Sequence, residues 1–157
     1  MKKVTPFLWY NNNAEEAVNH YTSIFKNSKI LDIARYPEGS PGQAGAVMTV
    51  NFQIEDQEFT ALNGGPEFPF SEAFSIAVNC ETQQEVDYLW EKLLEGGEES
   101  QCGWLKDKFG LSWQIVPVIL SQMMTDTDPK KSGRVMKALL QMKKLDIAAL
   151  KQAYDNV

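Results

Sequence analysis

One order of segments occurs twice in this chain and constrains its fold more than any other feature: a short apolar stretch, an amphipathic helix with a readable start, then further strand-like stretches. In the first copy, residues 5–10 precede Asn13-Ala14-Glu15-Glu16-Ala17-Val18. Asn13 can cap free backbone N–H groups there, and Glu16, three residues on, can reach back as in a capping box. Ala14, Ala17, Val18, Tyr21, Ile24 and Phe25 then share one helical face, and the helix is expected to end near Asn27. In the second copy, residues 73–80 precede a helix opened by Thr82 with Glu85 in the same relation. It carries Val86, Leu89, Trp90, Leu93 and Leu94 on one stripe and stops at Gly96-Gly97, where a left-handed backbone costs little. Strand candidates follow each helix: 29–36, 46–54 and 58–63 after the first, 99–106 and 111–117 after the second, the last two joined by a turn at 107–110.

These patterns predict an α+β fold of two βαβββ units, 1–66 and 73–117, within a single domain of 157 residues. A helix covers only one face of a small sheet. Pairing two such sheets completes the burial and leaves a cavity between their curved, mixed sheets. Residues 118–157 turn helical, over 118–124, 131–142 and 147–154, the last capped by Asp146, and form a C-terminal tail.

Composition narrows the partners. With 15 basic against 21 acidic side chains and a net charge of -6, the chain lacks the clustered cations that hold nucleic acid. No apolar run approaches the roughly 20 residues that span a bilayer, and the first residues lack the apolar core of a secretion signal. Two cysteines, Cys80 and Cys102, build no disulfide framework and suit a reducing compartment, so the expectation is a cytoplasmic protein.

Chemistry-bearing motifs are few. Gly39-Ser40-Pro41-Gly42-Gln43-Ala44-Gly45 runs into a strand rather than a helix whose N-terminus could hold a phosphate, and reads as a hairpin loop. Gly64-Gly65-Pro66 follows a strand but opens no helix, so no dinucleotide or S-adenosylmethionine fingerprint is visible. His20, the single histidine, has no Ser or Cys partner in the pattern and reads as a boundary residue. Cys102, placed in a strand near Lys106, is a possible thiol nucleophile, but small-hydrophobe packing is the default for a cysteine. Trp90 belongs to the core stripe, whereas Trp9, Trp104 and Trp113 lie in strands and face either a helix or the cavity.

Thr5-Pro6-Phe7-Leu8-Trp9-Tyr10, Asn13-Ala14-Glu15-Glu16-Ala17, Ala61-Leu62-Asn63-Gly64-Gly65-Pro66 and the long run from Gln101 through Asp107-Lys108-Phe109-Gly110-Leu111-Ser112-Trp113-Gln114 to Pro117 are similar to the PhnB-like family. That family is a branch of the vicinal oxygen chelate superfamily, with glyoxalase I, bleomycin-resistance proteins and extradiol dioxygenases. The resemblance covers nearly the whole chain. It implies paired βαβββ units, commonly in a homodimer, around a cavity where the superfamily's metalloenzymes hold a divalent cation through His, Gln or Glu from the first and last strands of each unit.

Transferred to this chain, those ligand positions fall near Pro6, near Phe59, near Phe74 and at Gln114. Only Gln114 can ligate. A slip of one or two positions offers Thr5, Thr60, Asn63 or Ser75, all neutral and weak. The expectation is therefore a protein with no metal and no cofactor that binds a small, apolar or aromatic organic molecule. Its cavity candidates are Leu8, Tyr10, Phe59, Asn63, Phe74, Cys102, Trp104 and Gln114, with Gln114 orienting the ligand and the rings covering it. Side chains that simply fill the core are the competing reading. The alternative functions are a glyoxalase- or dioxygenase-type enzyme with an unconventional metal site, or the methyltransferase that the family's label, demethylubiquinone methyltransferase, suggests.

Overall fold

The computed structural model describes residues 2–157 and resolves them into two compact units, the first running to Phe70 and the second Ser71–Val157. In the first unit, Phe7–Tyr10 (β1) leads into the helix Ala14–Ile24 (α1), followed by Ser28–Arg35 (β2), Val47–Ile54 (β3) and Gln57–Asn63 (β4). The second repeats the order: Ser75–Cys80 (β5), Gln83–Leu94 (α2), Glu98–Glu99 (β6), Trp104–Lys106 (β7) and Ser112–Pro117 (β8). Three helices complete it, Val118–Met124 (α3), Pro129–Leu139 (α4) and Ile147–Asp155 (α5).

The sheet topology is the same in both units. The strands lie in the order β1-β4-β3-β2 and β5-β8-β7-β6, so the first strand of each unit pairs in parallel with the last, and the other pairings are antiparallel. The repeat inferred from segment order is thus a repeat of connectivity, and it yields the mixed α+β class expected.

Each sheet has one face packed on its own helix. In the first unit Val50, Phe52 and Ile54 of β3 point to α1, and Phe59 and Ala61 lie opposite Phe52 and Val50 on the same face. Tyr21 of α1 closes this layer, its hydroxyl 3.0 Å from that of Tyr10. In the second unit Val86, Leu89, Trp90 and Leu93 of α2 are buried, and the sheet supplies Leu105, Trp113 and Ile115.

The two helices begin differently. Thr82 caps α2, accepting from the Glu85 amide at 3.2 Å. Asn13 makes no such bond, and the capping box expected there does not form. The side chain of Asn63, at the end of β4, instead accepts from the Ala14 amide at 2.8 Å while its own amide group donates to the Val47 carbonyl. A tertiary cap replaces a local one. Asn63→Ala is accordingly expected to destabilise the protein by about 1 kcal/mol, whereas Asn13→Ala changes little, as read from urea midpoints.

The single strand expected over 99–106 is also corrected. A turn at Gln101–Trp104, closed by the Trp104 amide donating to the Gln101 carbonyl, separates β6 from β7. Its central residues, Cys102 (φ 59°) and Gly103 (φ 87°), are both left-handed, the signature of a type I′ turn. Cys102 therefore lies in a turn, not in a strand. Next to it runs a strap between α4 and α5: the Cys102 and Gly103 amides donate to the Met142 and Lys143 carbonyls at 2.8 and 2.7 Å, and Leu145 packs against Gly103. Gln83 at the start of α2 fastens the same strap, donating to the Leu145 carbonyl and accepting from the Ile147 amide.

Candidate ligand-binding face

Strand alternation divides the expected site residues between two faces. Leu8 and Tyr10 of β1 and Phe59 of β4 lie on the α1 side of the first sheet, where all are buried, and Asn63 on the same face caps α1. Phe59 stacks on Phe52 with ring centroids 5.3 Å apart. These four side chains are occupied in the helix–sheet layer. The opposite face of that sheet carries Phe7, Trp9, Thr60 and Asn51. There Thr60 donates to the Asn51 side chain at 2.6 Å, which in turn donates to Asp32 at 2.8 Å. Trp9 donates to the Gly65 carbonyl and meets the Phe68 ring edge-on.

In the second sheet, register places Ala77, Gln114 and Trp104 side by side on the face away from α2, and Ser75, Ser112 and Lys106 in the next rung. Gln114 donates through Nε2 to the Ser75 hydroxyl at 2.9 Å. Gln114 and Trp104 are both half-buried, so neither is consumed by the core. Phe74 stands just before β5 and is exposed. Cys102 sits in the turn that leads into Trp104.

Three charges meet on this face: Glu98 of β6 stands in register with Lys106 of β7, and Glu72 reaches the same ammonium. Lys106 pairs with Glu72 at 2.5 Å, which holds the Glu72 carboxyl below its usual range and lifts the Lys106 ammonium above its own. Cys80, on the α2 side, offers no nucleophile, because burial pushes its thiol up to about 12.

The connection between β7 and β8 has a packing role. Asp107, buried, accepts from the Phe109 and Leu111 amides through Oδ1 at 2.8 and 3.0 Å, and from the Trp113 indole through Oδ2 at 2.9 Å. Gly110, at φ 90°, completes the turn. The Asp-Lys-Phe-Gly-Leu-Ser-Trp run thus fixes the β7–β8 connection and the orientation of β8, on which Gln114 sits. Sequence reasoning identified the turn but not the carboxylate that ties it to Trp113.

The profile of a family described as 3-demethylubiquinone-9 3-methyltransferase matches residues 2–116. A solved PhnB protein from Bacillus cereus, given the same methyltransferase description, is 38% identical over 74% of this chain and 100% of its own, with a TM-score of 0.68. The chain belongs to this PhnB-like family. Through it the protein falls within the vicinal oxygen chelate superfamily. Two other solved structures share the fold at low identity: PA1353 from Pseudomonas aeruginosa (21% identity, 74% of this chain and 98% of that one, TM-score 0.61) and the fosfomycin resistance protein FosX from Mesorhizobium loti (11%, 80% and 100%, TM-score 0.57). No curated protein matches the chain.

The metal found in many members of the superfamily does not fit the donors present. Among the described residues no three His, Cys, Asp or Glu side chains converge on a point that could hold an ion. On the faces turned away from the helices, the first and last strands offer Glu58, Thr60, Ser75, Asn79, Ser112 and Gln114. Glu58 is the one carboxylate among them and accepts from the Lys2 amide at 2.9 Å. A single carboxylate with neutral hydroxyls and amides falls short of the donor set that offsets the dehydration of a divalent cation.

Proposed function

We propose that the protein binds a small, largely apolar or aromatic organic molecule on the open face of its second sheet, without the superfamily's metal centre. The observation that carries this reading is the neutral pair formed by Gln114 and Ser75 beside the half-buried Trp104 indole. An indole offers area and a stacking surface, and one amide fixes orientation, which is the composition of an organic-ligand site. Phe74 and Cys102 flank it at the ends of β5 and β7. We further propose that the protein works as a homodimer in the cytosol, in keeping with its two free thiols.

Calorimetry with an aromatic probe such as 2-naphthol tests the site. Gln114→Ala is expected to weaken binding about tenfold, the worth of one orienting hydrogen bond, with the melting temperature little changed. Unchanged affinity would remove Gln114 from the role. Stoichiometric metal in the purified protein, lost together with ligand binding on chelation, would favour a glyoxalase- or dioxygenase-type enzyme instead. The methyltransferase reading stands on the family description, and saturable binding of S-adenosylmethionine would support it. The glycine-rich segments argue against it, since 39–45 joins two strands and Gly64-Gly65 opens no helix for the donor.

A further inference from the structure

Resting on the homodimer proposed above, we infer that two copies meet through the outer faces of α2 and α4, with α4 of each copy docking on α2 of the other. The match to the family profile ends at residue 116, just before α3, so α4 belongs to a tail outside that match. The inner side of α4 is accounted for. Val135 joins Met123, Leu145 and Leu150 in a buried cluster, Arg134 donates to the Ala153 and Tyr154 carbonyls, and Lys131 lies over the Tyr154 ring. The outer side is not. At helical spacing Gly133, Met136, Lys137 and Leu140 share one stripe, with Lys130 at its edge. Met136 and Leu140 on it are 40% and 57% exposed. A side chain at Gly133 would meet nothing within 4 Å, yet glycine weakens a helix interior. The copy's own packing gives no reason for glycine there, whereas close approach by a second helix does.

Charge selects the occupant. No acidic residue stands between Pro129 and Leu145, and Lys130 and Lys137 enter no salt bridge among the described residues. The outer face of α4 thus sets uncompensated positive charge around an apolar pair. Its complement lies on α2. Opposite the buried Val86, Leu89, Trp90 and Leu93, the stripe Gln84, Tyr88, Glu91 and Glu95 points outward. Tyr88 is 42% exposed, and neither Glu91 nor Glu95 enters a salt bridge among the described residues. On one flank of this stripe Asp87 is taken by Lys144, and on the other Glu85 and Lys92 are opposite in sign, so the stripe itself stays negative. Apolar side chains beside cations on one helix therefore match an aromatic ring beside carboxylates on the other. Because one chain carries both faces, a two-fold axis makes the contact twice. Docking α4 on α4 would bring like charges together instead.

Sedimentation velocity on the full chain reads this contact. The wild type is expected to dimerise, with a dissociation constant that rises with salt. Lys137→Glu and Glu91→Lys each set like charges against one another at both contacts, and each should weaken the dimer about tenfold at an unchanged melting temperature. Gly133→Leu should weaken it by bulk alone, with the melting temperature held or raised, because open space surrounds that position within one copy. Mixing the two charge variants restores opposite charges at both contacts, so the mixture should dimerise about as tightly as the wild type. A wild-type dimer indifferent to all three substitutions would place the interface elsewhere and overturn this inference while the homodimer stands. Charge variants that weaken the dimer with no recovery on mixing would overturn the pairing of α2 with α4. A wild type that stays monomeric at every concentration would overturn the homodimer reading and this inference with it.

Discussion

Asp107→Ala is expected to cost about 3–5 kcal/mol of folding stability, one of the two largest single effects in the chain. One carboxylate, 3% exposed, serves three donors: the amides of Phe109 and Leu111 and the indole N–H of Trp113. Truncation strips the acceptor from all three at once and opens a void beside Trp113. Hydrogen bonds to a charged acceptor are each worth about 1.5–3 kcal/mol, and the Leu111 amide and Trp113 indole, whose bonds are buried, cannot turn to water when theirs is lost. Asp107→Asn keeps the shape and the Oδ1 bonds but presents an amide where Oδ2 accepted, and should lose about half as much. Urea denaturation followed by far-UV circular dichroism checks both. A loss below about 1 kcal/mol for the alanine variant would show that the turn holds without its carboxylate.

Leu145→Ala is the second. Leu145 is fully buried in a cluster with Met123, Val135 and Leu150, and it also packs against Gly103, whose added side chain would meet both Leu145 and the Ile115 carbonyl. Leucine truncations in packed cores cost about 2–5 kcal/mol, and the same range is expected here. The effect should be directional. Because the strap accepts from the Cys102 and Gly103 amides, those two N–H groups should lose hydrogen-exchange protection ahead of the amides of β8. If the stability loss appeared with uniform deprotection across the second unit, the strap would be a passenger rather than the element that holds the turn into Trp104.

Much of this architecture was legible in the residues, and the gaps have physical causes. The α1 and α2 stripes, the Gly96 stop, the β3–β4 hairpin and the Asp146 cap of α5 are local signals, set by spacings of three or four residues and by turn chemistry. The cap on α1 is invisible in local sequence because the acceptor, Asn63, lies 49 residues from the Ala14 amide that it serves. The break between β6 and β7 was missed because Cys-Gly is a poor cousin of the Asn-Gly signal for a type I′ turn, and because the strap that stabilises it arrives from beyond residue 140.

Site reading followed the same division. In the second unit Gln114 anchored the parity of β8, and Trp104 and Gln114 do share the face turned away from α2. In the first unit no ligand-like side chain fixed the parity. The chosen set, Leu8, Tyr10 and Phe59, faces α1, while Phe7, Trp9 and Thr60 face the other way. A one-residue slip in a strand exchanges every side chain between faces, so a single missing anchor moves the whole set.

Titration of 2-naphthol into protein stripped with a chelator, set against the untreated protein, tests the central claim most directly. A metal-free site built from Gln114, Ser75 and Trp104 predicts the same dissociation constant in both and a weaker one in Gln114→Ala. Affinity that vanishes on chelation and returns with a divalent cation would contradict it.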